Sequence, residues 1–66
     1  MTFGEKIKKA RNERKITQKT LAETLNVAES SISDWEHDRH KPDVDTLKLL
    51  CETLEISADY LLFDAK

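Results

Sequence analysis

The stretch from Thr17 to Glu36, TQKTLAETLNVAESSISDWE, decides the fold. Leu21, Ala22 and Leu25 lie on one side of a helix with a 3.6-residue period. Thr17 is a suitable N-cap, because its hydroxyl can accept one of the free N–H groups of the first turn. Asn26 follows where a helix ends in a left-handed residue, a conformation that Asn tolerates better than any residue except Gly. The pattern then restarts. Ile32 and Trp35 form the apolar face of a second short helix from Ala28 to about His37, and Val27 anchors the turn. Two short helices joined so tightly must cross closely, which requires a small residue at the crossing, and Ala22 supplies it.

On the N-terminal side, Phe3, Ile7, Ala10 and Arg14 recur at helical spacing and are expected to share one face of a first helix. Lys6, Lys8, Lys9 and Glu13 fall mostly elsewhere. On the C-terminal side, HDRHKPD (residues 37–43) is a polar loop, because Pro42 biases Lys41 away from helical geometry. Asp43 caps a helix running through Leu54, with Leu47, Leu50, Cys51 and Leu54 inside, and Ser57 caps a last short helix, ADYLLF. The expected fold is all-α, a compact five-helix bundle over residues 1–66. A chain of 66 residues leaves no room for a second domain.

Charged residues make up 36% of the chain and hydrophobic ones 38%, the composition of a soluble helical protein. No apolar run approaches the roughly 18 residues of a membrane span. The opening MTFGEKIKKARNERK has no continuous apolar segment of the signal-peptide kind. The expected location is therefore the cytoplasm. Cys51 has no second cysteine to pair with and reads as a small core side chain. The net charge of −2 argues at first sight against nucleic acid, since unspecific DNA affinity comes from neutralised phosphates. That average conceals an asymmetry. Residues 1–20 hold seven bases and two acids, a net of +5, whereas the rest hold four bases and eleven acids, a net of −7.

No nucleophile, base and orienting acid stand at a sensible spacing, and there is no Gly-rich phosphate loop, so an enzyme is not expected. His37, Asp38 and His40 lack a cysteine or a fourth convergent ligand, so neither a metal nor another cofactor is expected, and no small-molecule ligand is evident.

Taken together, TQKTLAETLNV, SSISDWE, KPDVDTLKLL and LEISADYLL, in that order and spacing, resemble the phage-repressor family of helix-turn-helix regulators, the Cro/C1 or XRE-like type. The resemblance covers about residues 3–63. It implies a lambda-repressor-like DNA-binding domain with its helix-turn-helix at about residues 18–37, whose second helix, 28–37, lies in the major groove of double-stranded DNA. By that resemblance Glu29, Ser30, Ser33 and Asp34 face base edges. Gln18 and Lys19 at the start of the preceding helix meet phosphate, as do Arg39, His40 and Lys41 in the following loop. Arg11 and Glu36 match an inter-helix pair that aims the reading helix. The chain departs from the family at Asn26, usually Gly, and at Ala28, often Ser and a cap worth roughly 1 kcal/mol more. It also departs at Glu29 and Asp34, where amides or bases are common.

Two functions of different classes follow. One is a sequence-specific transcriptional regulator, a repressor by the resemblance, acting as a homodimer on a palindromic operator because one short helix reads too few base pairs. Leu62 and Phe63, apolar beyond what the core needs, are the expected dimer contact. The other is a protein-interaction module of the same fold, antitoxin- or antirepressor-like, whose acidic surface has weakened DNA binding.

Overall fold

Each helix begins where a side chain can satisfy free backbone amides. In a computed structural model, which describes residues 1–63, the helices are α1 (Phe3–Glu13), α2 (Gln18–Leu25), α3 (Glu29–Glu36), α4 (Val44–Leu54) and α5 (Ala58–Phe63), with no strand among the described residues. Positions 64–66 of the expected span lie outside the described residues. Thr17 Oγ1 accepts the Thr20 N–H at 3.0 Å, Asp43 Oδ1 that of Thr46 at 2.8 Å, and Ser57 Oγ that of Tyr60 at 3.0 Å. Thr2 starts α1 with a reciprocal pair. Its hydroxyl accepts the Glu5 N–H at 3.1 Å while Glu5 Oε1 accepts the Thr2 N–H at 2.8 Å. Only Ala28, before α3, has no side-chain bond to give. Asn26 ends α2 at φ 58° and Glu55 ends α4 at φ 56°, both left-handed.

The core collects Phe3, Ile7 and Ala10 from α1, Leu21, Ala22 and Leu25 from α2, Ile32 and Trp35 from α3, Leu50 and Leu54 from α4, and Leu61 from α5. Leu47 and Cys51, expected inside, sit half-buried at its edge. Burial, and secondly the Glu52 charge, push the Cys51 thiol up, which disfavours the reactive thiolate.

The buried stripe of α1 differs from the expected one. Arg14 does not share it, because α1 stops at Glu13: the chain turns back through Arg14 and left-handed Lys15, and the Ile16 N–H bonds to the Arg11 carbonyl at 3.1 Å. Arg14 is exposed and pairs with Glu55 instead. In its place the stripe contains Gly4, Lys6 and Arg11. Lys6 is only 2% exposed, with its stem in the core and its ammonium donating to the Tyr60 carbonyl at 2.7 Å above the Tyr60 ring. This bond and cation–π contact dock α5 on α1. No helix among the described residues is long and apolar enough to cross a membrane.

Candidate nucleic-acid interface

Ala22 and Asn26 set the geometry of the surface. The Val27 N–H bonds to the Ala22 carbonyl at 3.0 Å across the left-handed Asn26, which turns the chain so that α3 packs against α2 over the buried Ala22. Ile32, Trp35 and Glu36 face inward from α3. Its outer side carries Glu29 and Ser30, both exposed, and Ser33 and Asp34, both half-exposed. The four side chains therefore share the solvent side of one helix.

The orientation of α3 is fixed by a buried charge network. Arg11 Nε donates to Glu36 Oε2 at 2.6 Å and Nη2 donates to Oε1 at 3.2 Å, a two-pronged match of guanidinium to carboxylate. Arg11 Nη1 also donates to the Ile16 carbonyl at 2.8 Å, and Gln18 Nε2 donates to Glu36 Oε1 at 3.0 Å. The Glu36 carboxylate at the end of α3 thus ties together α1 and the start of α2, while Arg11 holds the turn between them. Among the described residues no buried side-chain N or O lacks a partner. Gln18 has its amide on Glu36 in this structure, and the neighbouring Lys19 is exposed.

Beyond α3 the chain runs over the surface. His37 Nδ1 lies 2.8 Å from the Ser33 carbonyl and so donates its proton there. Asp38 is left-handed at φ 61°. The Arg39 N–H bonds to the Asp34 carbonyl at 2.9 Å, and its guanidinium lies 3.5 Å from the Asp34 carboxylate, an exposed pair of little energetic weight. Arg39, His40 and Lys41 are all exposed, and the Lys41 ammonium stands 5.3 Å from the centre of the Phe3 ring. The loop therefore places three basic side chains beside α3, with Lys19 exposed at the start of α2.

The basic character of residues 1–20 is smaller in space than in sequence. Lys6 and Arg11 are buried and the exposed Arg14 is paired with Glu55; the other exposed cations of that segment are Lys8, Lys9, Lys15 and Lys19. At the opposite end, Leu62 is 43% and Phe63 73% exposed on α5. No group of three or more His, Cys, Asp or Glu among the described residues is placed to hold a metal ion.

Sequence reasoning missed Gly4, Lys6 and Asp38. Gly4 lies three residues before Ile7 on the same stripe, a signal available in the spacing. A Cβ there would overlap the carbonyl oxygens of Trp35 and Glu36, so only Gly lets α1 come this close to α3. Lys6, four residues before Ala10, could have been found in the same way. Asp38 bonds a residue 34 positions away and leaves no periodic trace.

Five helices, a tight α2–turn–α3 crossing and a solvent-facing polar row on α3 define a helix-turn-helix domain. The chain belongs to the helix-turn-helix domain family, whose profile matches residues 4–64. It is 42% identical to the HTH-type transcriptional regulator ImmR of Bacillus subtilis over 94% of this chain and 49% of ImmR. It is 40% identical to the immunity repressor protein of Bacillus phage phi105 over 94% of this chain and 43% of that protein. The chain thus spans about half the length of these relatives or less. The crystal structure of the P22 c2 repressor protein in complex with synthetic operator 9T superposes with a TM-score of 0.93 and 34% identity, covering 98% of each chain.

Proposed function

We propose that this chain binds double-stranded DNA sequence-specifically as a transcriptional repressor in the cytoplasm, with α3 in the major groove and as a homodimer on a palindromic operator. The carrying observation is the solvent-facing row Glu29, Ser30, Ser33 and Asp34 on a helix whose inner side is locked by the Arg11–Glu36 pair. Likeness to a repressor crystallised in complex with a synthetic operator supports the same reading. Ser30 and Ser33 are short and give and accept hydrogen bonds, which suits them to base edges or nearby phosphate. Lys19, Arg39, His40 and Lys41 supply the sequence-independent attraction, and Gln18 joins them through the amide edge and first-turn backbone at the start of α2.

Lys41→Ala is expected to weaken binding to every duplex alike and to reduce the salt slope by about 1. Titration at several salt concentrations reads this directly, and an unchanged slope would remove Lys41 from the footprint.

Glu29 has a different role. A carboxylate in the groove is repelled by phosphate unless it accepts a hydrogen bond, and the donor that best suits it is the cytosine N4 amine. Glu29→Gln should raise affinity for unrelated duplexes and relax preference at one base pair by about 1–3 kcal/mol. Equal shifts on an operator and all its single-base variants would show that Glu29 reads no base and acts as a local charge at the start of α3.

Exposed Leu62 and Phe63 support dimer formation through α5. Sedimentation at rising concentration, with and without operator, should reveal a dimer. A strict monomer that binds single half-sites as tightly as palindromes contradicts it.

A further inference from the structure

The loop carrying Arg39, His40 and Lys41 is tied to the beginning of α1. Asp38, its left-handed residue, places Oδ1 2.9 Å from the Gly4 N–H, across 34 positions of sequence. Gly4 is the second residue of α1, where a backbone amide has no partner within the helix. An anion there is also favoured by the helix dipole. The Thr2 hydroxyl, and then the Gly4 N–H, hold the Asp38 carboxyl below the usual carboxylate range. A second strap lies three residues on, where the Lys41 ammonium covers the Phe3 ring. The bare Cα of Gly4 permits both contacts, because it lets the first turn of α1 sit against the Trp35 and Glu36 carbonyls just before the loop begins.

Helix α1 does not need Asp38 in order to start. Thr2 and Glu5 already form a complete reciprocal cap. Asp38 is left-handed, a conformation that its short polar side chain tolerates, at the point where the chain leaves α3. The contact therefore acts on the loop more than on the helix. We infer that Asp38 is a positioning residue for the phosphate-facing loop, a cap supplied from outside α1 that fixes where Arg39, His40 and Lys41 stand relative to α3. The inference rests on the DNA-binding function proposed above.

Two substitutions separate the carboxylate from the backbone. Asp38→Gly keeps the left-handed conformation and deletes the acceptor. Asp38→Asn keeps an acceptor oxygen and tolerates the same backbone. In Asp38→Gly the Gly4 amide should exchange with solvent about tenfold faster as its acceptor is lost. Duplex affinity should fall about three- to tenfold on all sequences alike, with a salt slope smaller by about 1 and base preferences unchanged. Asp38→Asn should remain within about twofold of the parent in each measurement, since the bond to Gly4 is retained. A purely structural role would lower the melting temperature and leave the salt slope untouched. Unchanged affinity and slope in Asp38→Gly, or equal damage in Asp38→Asn, overturns the positioning role. If the parent chain binds no duplex at all, the DNA-binding function itself falls, and the loop's role with it.

Discussion

Glu36→Gln should unfold about 3–5 kcal/mol more readily than the parent chain before any DNA is added. The Glu36 side chain is 2% exposed and accepts three hydrogen bonds, two from Arg11 and one from Gln18. A glutamine has one acceptor oxygen, so either orientation turns its NH2 toward a donor and leaves the Arg11 charge without a counterion. Arg11 is slightly exposed, at 11%, which favours the lower end of the range. Even that is large. A domain of this length has a total stability of about 3–10 kcal/mol. At roughly 4–8 °C per kcal/mol, the melting temperature should fall by more than about 12 °C. Replacing both partners, Arg11→Met with Glu36→Leu, should recover much of the loss, because no charge is then left buried alone. Parent-like melting of Glu36→Gln together with lost DNA binding would make the pair a DNA contact and not a structural one.

The second large effect is expected at Gly4. Local helix preference alone predicts that Gly4→Ala stabilises the chain by up to about 1 kcal/mol. The packing predicts the reverse. A methyl group there would overlap the backbone oxygens of Trp35 and Glu36, and those atoms belong to the last turn of α3. They cannot rotate aside as a flexible side chain would, so α1 must move off α3, at a net cost of about 1–3 kcal/mol. The displacement also strains the Gly4–Asp38 bond and the Arg11–Glu36 pair, which connect the same two segments. Chemical denaturation should show a lower midpoint with little change in slope. A variant as stable as the parent would mean that α1 and α3 can separate freely at this point.

The five helices were legible because each carries a local signature. Thr17, Asp43 and Ser57 mark starts, Asn26 marks an end, and the leucines of α2 and α4 repeat at helical spacing. The length of α1 was harder to read. Arg14 continues the stripe in number but not in space, because the left-handed Lys15 ends the helix and lysine gives no warning of that conformation. Charge proved still less legible. Counting bases along residues 1–20 treats Lys6 and Arg11 as surface cations, whereas one is buried on Tyr60 and the other on Glu36. Burial of a charge depends on partners 25 and 54 positions away, and no local pattern encodes that. The residues of the candidate surface came from resemblance; of these the structure pairs Asp34 with Arg39, while Gln18 meets the buried Glu36 and Lys41 covers the core residue Phe3.

Selective duplex binding would be read by selection of bound sequences from a random duplex pool. The parent chain should enrich a short motif with two inverted half-sites about one helical turn apart, bound less tightly as salt rises. A pool that stays unenriched after repeated rounds, with no retention above background at low salt, would exclude selective duplex binding and leave the acidic α3 as a surface for a protein partner.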